Sequence, residues 1–209
     1  RNDLRTYDNT VLTNALKDAN KVIAAYCFDP RHYSVSDYGF KKTERFRAQF
    51  LIETIQNLRE KLADLNIPLF VYAEKPEDCL PQLIAQQHIT TVYSQKEWTY
   101  EEATVEKALK ASVEKTIHFK SFYDQFLYHP EDIPFDDLSK IPKVFTAFRK
   151  KCEKYAPIKE TLPTPEKRSE DNYIETKQMG FLAEPGFEVV DKKTDKVLVS
   201  TYKFLFLEN

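Results

Sequence analysis

The sequence predicts an α/β fold in which a parallel sheet carries helices on both faces. Short runs of β-branched and aromatic residues alternate along the chain with segments of helical periodicity. The strand-like runs are almost continuously apolar, which is typical of strands buried on both faces. Strands that alternate with helices favour right-handed crossovers and parallel pairing. We therefore predict a Rossmann-like, doubly wound sheet.

Four segments are predicted as strands of this sheet. They cover residues 21–28, 68–73, 89–94 and 116–119. Residues 1–7 resemble a loop that follows a strand, so we expect one further central strand. That strand would either precede Arg1 or come from another chain.

Apolar spacing and helix-start signals predict the helices. The longest carries apolar residues at steps of three and four, and Thr43 is its predicted cap. Its apolar stripe consists of Phe46, Phe50, Leu51, Ile55, Leu58, Leu62 and Leu65. A shorter helix follows Asp8 and Asn9, either of which can cap it, and Pro76 is placed to begin another.

Two more helices complete the pattern. Thr99 and the glutamates after it form a capping box, which predicts a helix from Thr99 to about Val113. Residues 144–155 form a basic helix.

The predicted domain organisation has three parts. Residues 1–155 form the α/β domain, and the proline-rich, charged residues 156–171 are predicted to be a linker. Residues 172–209 form an additional tail, in which the segments FEVV and VLVS predict a β-hairpin. Because an isolated two-stranded hairpin is unstable in water, we expect the tail to dock on the sheet edge or on another chain.

Composition excludes several classes of protein. The net charge of -2 gives no signal for chain-wide binding of nucleic acid. With only three glycines, the chain cannot form a glycine-rich phosphate loop. The sequence predicts no membrane span, no metal site among its four histidines, and no catalytic nucleophile.

The three cysteines, Cys27, Cys79 and Cys152, are sparse and widely spaced. This spacing argues against a disulfide framework and favours a reducing intracellular compartment. Cys27 lies in an apolar run and is interpreted as a small buried hydrophobic residue.

Polar residues follow two of the predicted strands, at the edge of the sheet where the carboxyl ends of the strands lie. Open parallel sheets bind ligands beyond the carboxyl ends of their strands. The first such loop contains Arg5 and Asp8, and the loop after the third predicted strand contains Gln95, Lys96 and Glu97. Two interpretations remain open at this point. The charges either pair locally and complement a helix N-terminus, or they form a small-molecule site.

Five segments, in order, resemble the photolyase/cryptochrome family and in particular its DASH branch. They are RNDLRTYDNTVL, CFDPRHY, KKTERFRAQFLIETIQNLREKL, VYSQKEWTYEE and IPFDDLSKIPKVFTAFRKKCE. Together they lie within residues 1–155, which in this family form the N-terminal domain that binds an antenna chromophore. Glu44 and Ala73 stand where the family usually has glycine. Residues 156–209 do not resemble the start of the family's FAD-binding domain.

The resemblance implies an antenna site for methenyltetrahydrofolate. Glu97 matches the carboxylate that holds the pterin edge, and Gln95 and Lys96 flank it. Arg5 and Arg47 match positions that face a flavin-type antenna in other photolyases. FAD itself is not expected in this chain, because in the family it belongs to a larger helical domain.

The resemblance also implies the function of the complete protein, which is blue-light absorption and FAD-dependent repair of pyrimidine dimers. This chain would be its antenna-type domain and would not be catalytic alone. Its expected partner is the FAD-binding domain or another chain. The alternative is a structural or interaction subunit derived from a photolyase that has lost its chromophore. A third option, a nucleotide-binding module with the same class of sheet, also stays open.

Overall fold

A computed structural model describes residues 3–174, 189–190 and 197–198. Helices and strands alternate through most of this part, as the sequence predicts. In chain order the elements are α1 Thr10–Asp18, β1 Ala24–Cys27, α2 Arg45–Asp64, β2 Leu69–Tyr72, α3 Pro76–Gln86, β3 Thr91–Gln95, α4 Tyr100–Ser112, β4 His118–Phe122 and α5 Phe145–Tyr155. The predicted α/β class is therefore confirmed.

The strands pair in parallel, in two separate pairs. In the first pair, β1 lies beside β2 with Ala24 opposite Leu69 and Cys27 opposite Tyr72. The second pair joins β3 and β4 in the same orientation. Within the described residues no strand pairing connects the two pairs. The central strand expected from the sequence lies outside the described residues and stays a prediction.

The main core lies where α2 covers the first strand pair. Its buried members are Phe28, Ile55, Leu58, Leu62, Leu65, Ile67, Leu69 and Val71. The apolar stripe of α2 is longer than this core. Phe46 and Phe50 in its first turns are 63% and 68% exposed, because at 3.6 residues per turn both are rotated away from the helix face that carries Ile55 and Leu62.

Local chemistry explains where the helices begin. Asn9 caps α1, and its side-chain oxygen accepts a hydrogen bond of 2.8 Å from the Leu12 amide. The N-cap of α2 is Glu44 and not the predicted Thr43, which is buried. Thr99 occupies the N-cap of α4 as predicted, although its side chain accepts no capping hydrogen bond.

Two helices end in a left-handed residue that is not glycine. Asn66 after α2 has a φ of 58°, and His88 after α3 has a φ of 52°. In each case the next amide donates back to the helix: Ile67 to the Leu62 carbonyl at 2.8 Å and Ile89 to the Ile84 carbonyl at 2.9 Å. In this chain, which has only three glycines, asparagine and histidine adopt the left-handed conformation that ends these two helices.

The segment after α5 lies along the domain, although much of it has no regular secondary structure. Near its start, the Asp8 amide donates to the Leu162 carbonyl at 2.8 Å. Farther along, the Arg168 amide donates to the Leu65 carbonyl at 3.0 Å. Residues 161–172, which we call the strap, therefore connect the start of α1 with the end of α2. The predicted linker at 156–171 includes most of this strap, and the domain boundaries remain a prediction.

Asn172 anchors the end of the strap. It is 2% exposed, and its side chain makes three hydrogen bonds with the main chain. Its oxygen accepts from the Val22 amide at 2.8 Å, and its nitrogen donates to the carbonyls of Val22 and Asn66 at 3.0 and 2.6 Å. The strap is thereby fixed beside the residues that precede β1 and β2.

Beyond the strap, β5 Val189–Val190 pairs antiparallel with β6 Val197–Leu198. Apart from residues 172–174, the rest of the predicted tail lies outside the described residues, and its expected docking on the sheet edge or on another chain stays a prediction. No helix in the described part of the chain is long and apolar enough to span a bilayer.

Candidate functional site

The carboxyl ends of β3 and β4 bring two polar and aromatic loops together. The parallel register places Gln95 opposite Phe122, the last residues of the two strands. Immediately beyond them, the Lys96 amide donates to the Phe122 carbonyl at 2.7 Å. Residues 96–98 and residues 123–126 therefore face each other at the edge where such sheets bind ligands.

Glu97 is held by a residue of the opposite loop. The Gln125 side-chain nitrogen donates to Glu97 Oε2 at 2.9 Å and to the Lys96 carbonyl at 2.9 Å. The other carboxylate oxygen, Oε1, is buried and has no hydrogen-bond partner. A buried acceptor without a donor costs roughly 1–3 kcal/mol, and more when it is charged. This site therefore presents an unsatisfied acceptor that a ligand's N–H group could satisfy.

Aromatic rings line the same place. Trp98 stacks on Tyr123 with ring centroids 5.1 Å apart, and it also contacts Phe126 at 4.6 Å. The Lys96 ammonium lies 4.9 Å from the centre of the Tyr123 ring. Trp98 and Phe126 remain 44% and 53% exposed, so flat apolar surface borders the carboxylate. Such a combination of aromatic surface and a few polar groups is typical of small-molecule sites.

The predicted site residues are only partly brought together. Gln95, Lys96 and Glu97 lie at this edge, and Gln95 is 2% exposed at the end of β3. Arg5 lies on the neighbouring side, where its guanidinium is 3.6 Å from Asp124 and its Nε donates to the Asp8 carbonyl at 2.8 Å. Arg47 is exposed in the first turn of α2, and no described contact joins it to Glu97.

Asp124 connects the site to α1. Its two oxygens accept hydrogen bonds from the Thr10 hydroxyl at 2.7 Å and the Thr10 amide at 3.1 Å. Because Asp124 directly precedes Gln125, the start of α1 helps to fix the loop that holds Glu97. The sequence analysis did not identify Tyr123, Asp124, Gln125 or Phe126. These residues could have been found, since they follow the fourth predicted strand just as Glu97 follows the third.

Comparison with known proteins identifies the family. The family model for DNA photolyase matches residues 1–166. This chain belongs to the DNA photolyase family. The match extends 11 residues beyond the limit of residue 155 predicted from the sequence motifs.

Curated relatives place the chain near the DASH cryptochromes. It is 38% identical over 204 residues to cryptochrome DASH of Gloeobacter violaceus, which covers 97% of this chain and 40% of that protein. It is 39% identical to cryptochrome DASH of Danio rerio over 169 residues, covering 79% of this chain and 32% of that protein. The Gloeobacter match extends well into the segment predicted to be an additional tail. The chain spans only about two fifths or less of these relatives.

Solved structures of the family share the fold. The cryptochrome of Synechocystis matches with a TM-score of 0.74 and 33% identity, over 87% of this chain and 40% of that one. An archaeal photolyase from Sulfolobus tokodaii matches with a TM-score of 0.66 at 24% identity, over 80% of this chain and 36% of that one. The Rossmann-like photolyase N-terminal fold predicted from the sequence is thus confirmed.

Proposed function

We propose that this chain is the antenna-type domain of a DASH-like cryptochrome and that Glu97 holds the pterin edge of methenyltetrahydrofolate. One observation carries the proposal, namely the buried and unpartnered Oε1 of Glu97 at the carboxyl end of β3. A pterin offers an N–H group and an exocyclic amine side by side. Two adjacent donors suit a carboxylate, as they do when arginine binds one.

The surroundings of Glu97 fit such a ligand. Gln125 fixes one carboxylate oxygen and leaves the other for a donor. Glu97 also lies two residues before Thr99, the N-cap of α4, so the helix dipole favours its negative charge. The exposed rings of Trp98 and Phe126 offer π surface to a planar heterocycle. Lys96, exposed at the rim, is suited to the carboxylates of a folate, while the buried Gln95 supports the end of the strand.

Binding of an antenna chromophore by Arg5 and Arg47 has less support from the structure. Arg5 is already engaged by Asp8 and Asp124. A flavin-type antenna facing both arginines would require them on one surface, and no contact between them is described. We therefore favour the folate at Glu97.

In the complete protein, the bound folate would absorb near-ultraviolet and violet light and pass the excitation to a flavin. The flavin would belong to the FAD-binding domain of the family, where pyrimidine-dimer repair takes place. Both the light harvesting and the repair are proposed from membership of the family, because this chain spans only a fraction of its relatives.

The test is a titration of methenyltetrahydrofolate, followed by absorbance, into the wild type and Glu97→Gln. Gln keeps the shape of the side chain but turns one acceptor into a donor that faces the donors of the pterin. We expect a loss of about 1.5–3 kcal/mol, or ten- to a hundredfold in affinity. The titration is run with the chain alone and with an added FAD-binding domain from a DASH cryptochrome, which would complete the pocket.

Glu101→Gln is the matched control. Glu101 is exposed, lies four residues farther along and pairs with Lys42. Its substitution should leave folate affinity unchanged. Equal affinity of wild type and Glu97→Gln, or no binding in the completed assembly, would refute the assignment of Glu97.

A second candidate function is an interaction subunit without a chromophore. It is favoured by the apolar surface at the same edge, where Tyr100 and Leu127 are 85% and 66% exposed beside Trp98 and Phe126. Colour separates the two candidates. A folate antenna gives the purified assembly an absorption band in the near ultraviolet and violet, whereas an interaction subunit has none.

A further inference from the structure

Two cysteines that are far apart in sequence meet at the end of the first strand pair. Cys27 is the last residue of β1, and Cys79 lies in the first turns of α3. Their sulfur atoms are 3.5 Å apart. A disulfide needs about 2.05 Å, so the two sulfurs would have to approach by roughly 1.5 Å. Neither sulfur is bonded to another cysteine in the structure.

A neighbouring ion-pair network holds these two segments together. Arg31, four residues after Cys27, donates to both oxygens of Glu77 at 2.8 and 3.0 Å. Glu77 lies in the first turn of α3, two residues before Cys79. The same guanidinium also pairs with Asp29 at 2.5 Å. These ion pairs therefore hold the loop after Cys27 against the first turn of α3, beside the two sulfurs.

We propose that Cys27 and Cys79 form a redox-responsive modification site, in which a hydroperoxide converts the dithiol reversibly into a disulfide. Cys27 is partly exposed and Cys79 is buried 3.5 Å behind it, so the oxidant must be small enough, as hydrogen peroxide is, to pass Cys27 and reach the Cys79 sulfur. The site is independent of the folate proposal, because it lies on the β1–β2 pair and not on the β3–β4 pair.

The two thiols differ in pKa, and this difference indicates which sulfur attacks the oxidant. The hydrogen bond between the two sulfurs lowers the pKa of the Cys79 thiol, against burial and the nearby Glu74 carboxylate, and backbone amides at the start of α3 add to the effect. The same hydrogen bond, together with burial, raises the pKa of Cys27. Cys79 therefore loses its proton more readily than Cys27 does.

The reaction balances with one hydroperoxide. The Cys79 thiolate attacks an oxygen of hydrogen peroxide, the O–O bond breaks, and Cys79 becomes a sulfenic acid while hydroxide leaves. The Cys27 sulfur then attacks the Cys79 sulfur, the S–O bond breaks, and the oxygen departs with the Cys27 proton as water. The hydroxide takes up the proton that Cys79 released. In total, two thiols are oxidised by two electrons and one peroxide is reduced to two waters.

The experiment uses the full chain, first reduced and then treated with hydrogen peroxide. We expect the number of titratable thiols to fall from three to one, with a mass loss of 2 Da. A non-reducing tryptic digest should contain residues 22–31 linked to residues 62–96, since trypsin does not cut between Lys75 and Pro76. Dithiothreitol should restore all three thiols. The oxidised protein should unfold about 5–10 °C higher than the reduced one, because the disulfide closes a long loop.

Cys152→Ser is the matched control, because Cys152 is buried in α5 and outside the pair. It should form the same link, whereas Cys79→Ser should not. The wild-type peptide map decides the matter even if a variant folds poorly. The proposal is overturned if the folded wild type gains oxygen without the 22–31 to 62–96 link. It is equally overturned if all thiols survive a peroxide concentration that oxidises free cysteine.

Discussion

Asp29 shows how a single buried carboxylate organises the loop after β1. It is 4% exposed and caps the 3-10 helix Pro30–His32 by accepting from the Arg31 amide at 2.9 Å. The Arg31 side chain adds hydrogen bonds to both of its oxygens. Burial alone would raise the pKa of Asp29, but these hydrogen bonds and the guanidinium charge outweigh it and lower the pKa below its usual value.

Asp29→Asn tests this arrangement. The variant keeps the shape of the side chain but removes the charge that faces Arg31. We expect a loss of about 1–2 kcal/mol in the free energy of unfolding at pH 7, as for hydrogen bonds to a charged group. A carboxylate with a lowered folded pKa stabilises the protein above its unfolded pKa near 3.9 and loses that contribution as pH falls through the folded value.

The difference between wild type and Asp29→Asn should therefore shrink below about pH 4. Urea unfolding followed by circular dichroism from pH 7 to pH 2 measures this. Asp37→Asn, in an exposed loop, should change the free energy of unfolding by less than about 0.5 kcal/mol at any pH. A difference that stays constant down to pH 2 would contradict the assignment to the Asp29 charge.

At the scale of single residues, the sequence was informative about positions and uninformative about partners. Glu97 could be located because it follows an apolar strand directly. The loop that contains Gln125 could be located in the same way, but its hydrogen bond to Glu97 could not be predicted, because no local pattern reveals which side chain of a parallel neighbour lies opposite. The contact between Cys27 and Cys79 was missed for the same reason, since 52 positions separate the two cysteines in the chain.

At the scale of elements, the strap shows that composition alone does not reveal whether a segment packs against the domain. Prolines and charges at 156–171 are typical of a linker, yet main-chain hydrogen bonds hold the strap against the domain. A side-chain anchor reaches the C-terminal end of α1, where the Arg168 guanidinium donates to the Leu16 and Ala19 carbonyls. Helices were easier to predict. Periodicity and helix-start residues located α1, α3 and α4, whereas the exposure of Phe46 and Phe50 depends on what packs against α2.

Asn172→Ala tests the strap. The substitution removes three hydrogen bonds and leaves the buried Val22 amide without an acceptor. We expect a loss of about 2–3 kcal/mol in the free energy of unfolding, because unsatisfied buried groups are costly. Urea unfolding measures the loss. Asn57→Ala, at an exposed position of α2, serves as the control and should have little effect. If both variants unfold at the wild-type urea concentration, the strap contributes nothing to stability.

At the scale of the whole molecule, the fold class followed from alternation, but the arrangement of the strands did not. The described strands form two parallel pairs, with α1 in contact with both β3 and β4, and the further central strand that the sequence predicts stays a prediction. Pairing across a sheet depends on segments that are distant in sequence, and apolar runs do not encode it. The candidate site lies on one pair and the cysteine pair on the other, so each can be tested separately.

The chain by itself is expected to lack repair activity. It spans about 40% of the Gloeobacter cryptochrome and 32% of the Danio one. In this family the flavin that donates the electron belongs to the larger helical domain, and protein side chains do not replace it. We therefore expect no light-dependent repair when the purified chain is incubated with single-stranded DNA that contains pyrimidine dimers.

The assay compares blue light with darkness and counts the remaining dimers by chromatography. An active photolyase serves as the positive control and shows that the substrate is competent. The assay is repeated after the FAD-binding domain of a DASH cryptochrome has been added to the chain. Repair that exceeds the dark control with the chain alone would show that this polypeptide carries its own electron donor. The proposal that this chain harvests light and that the FAD-binding domain carries out repair would then be wrong, whatever the affinity of Glu97 for folate.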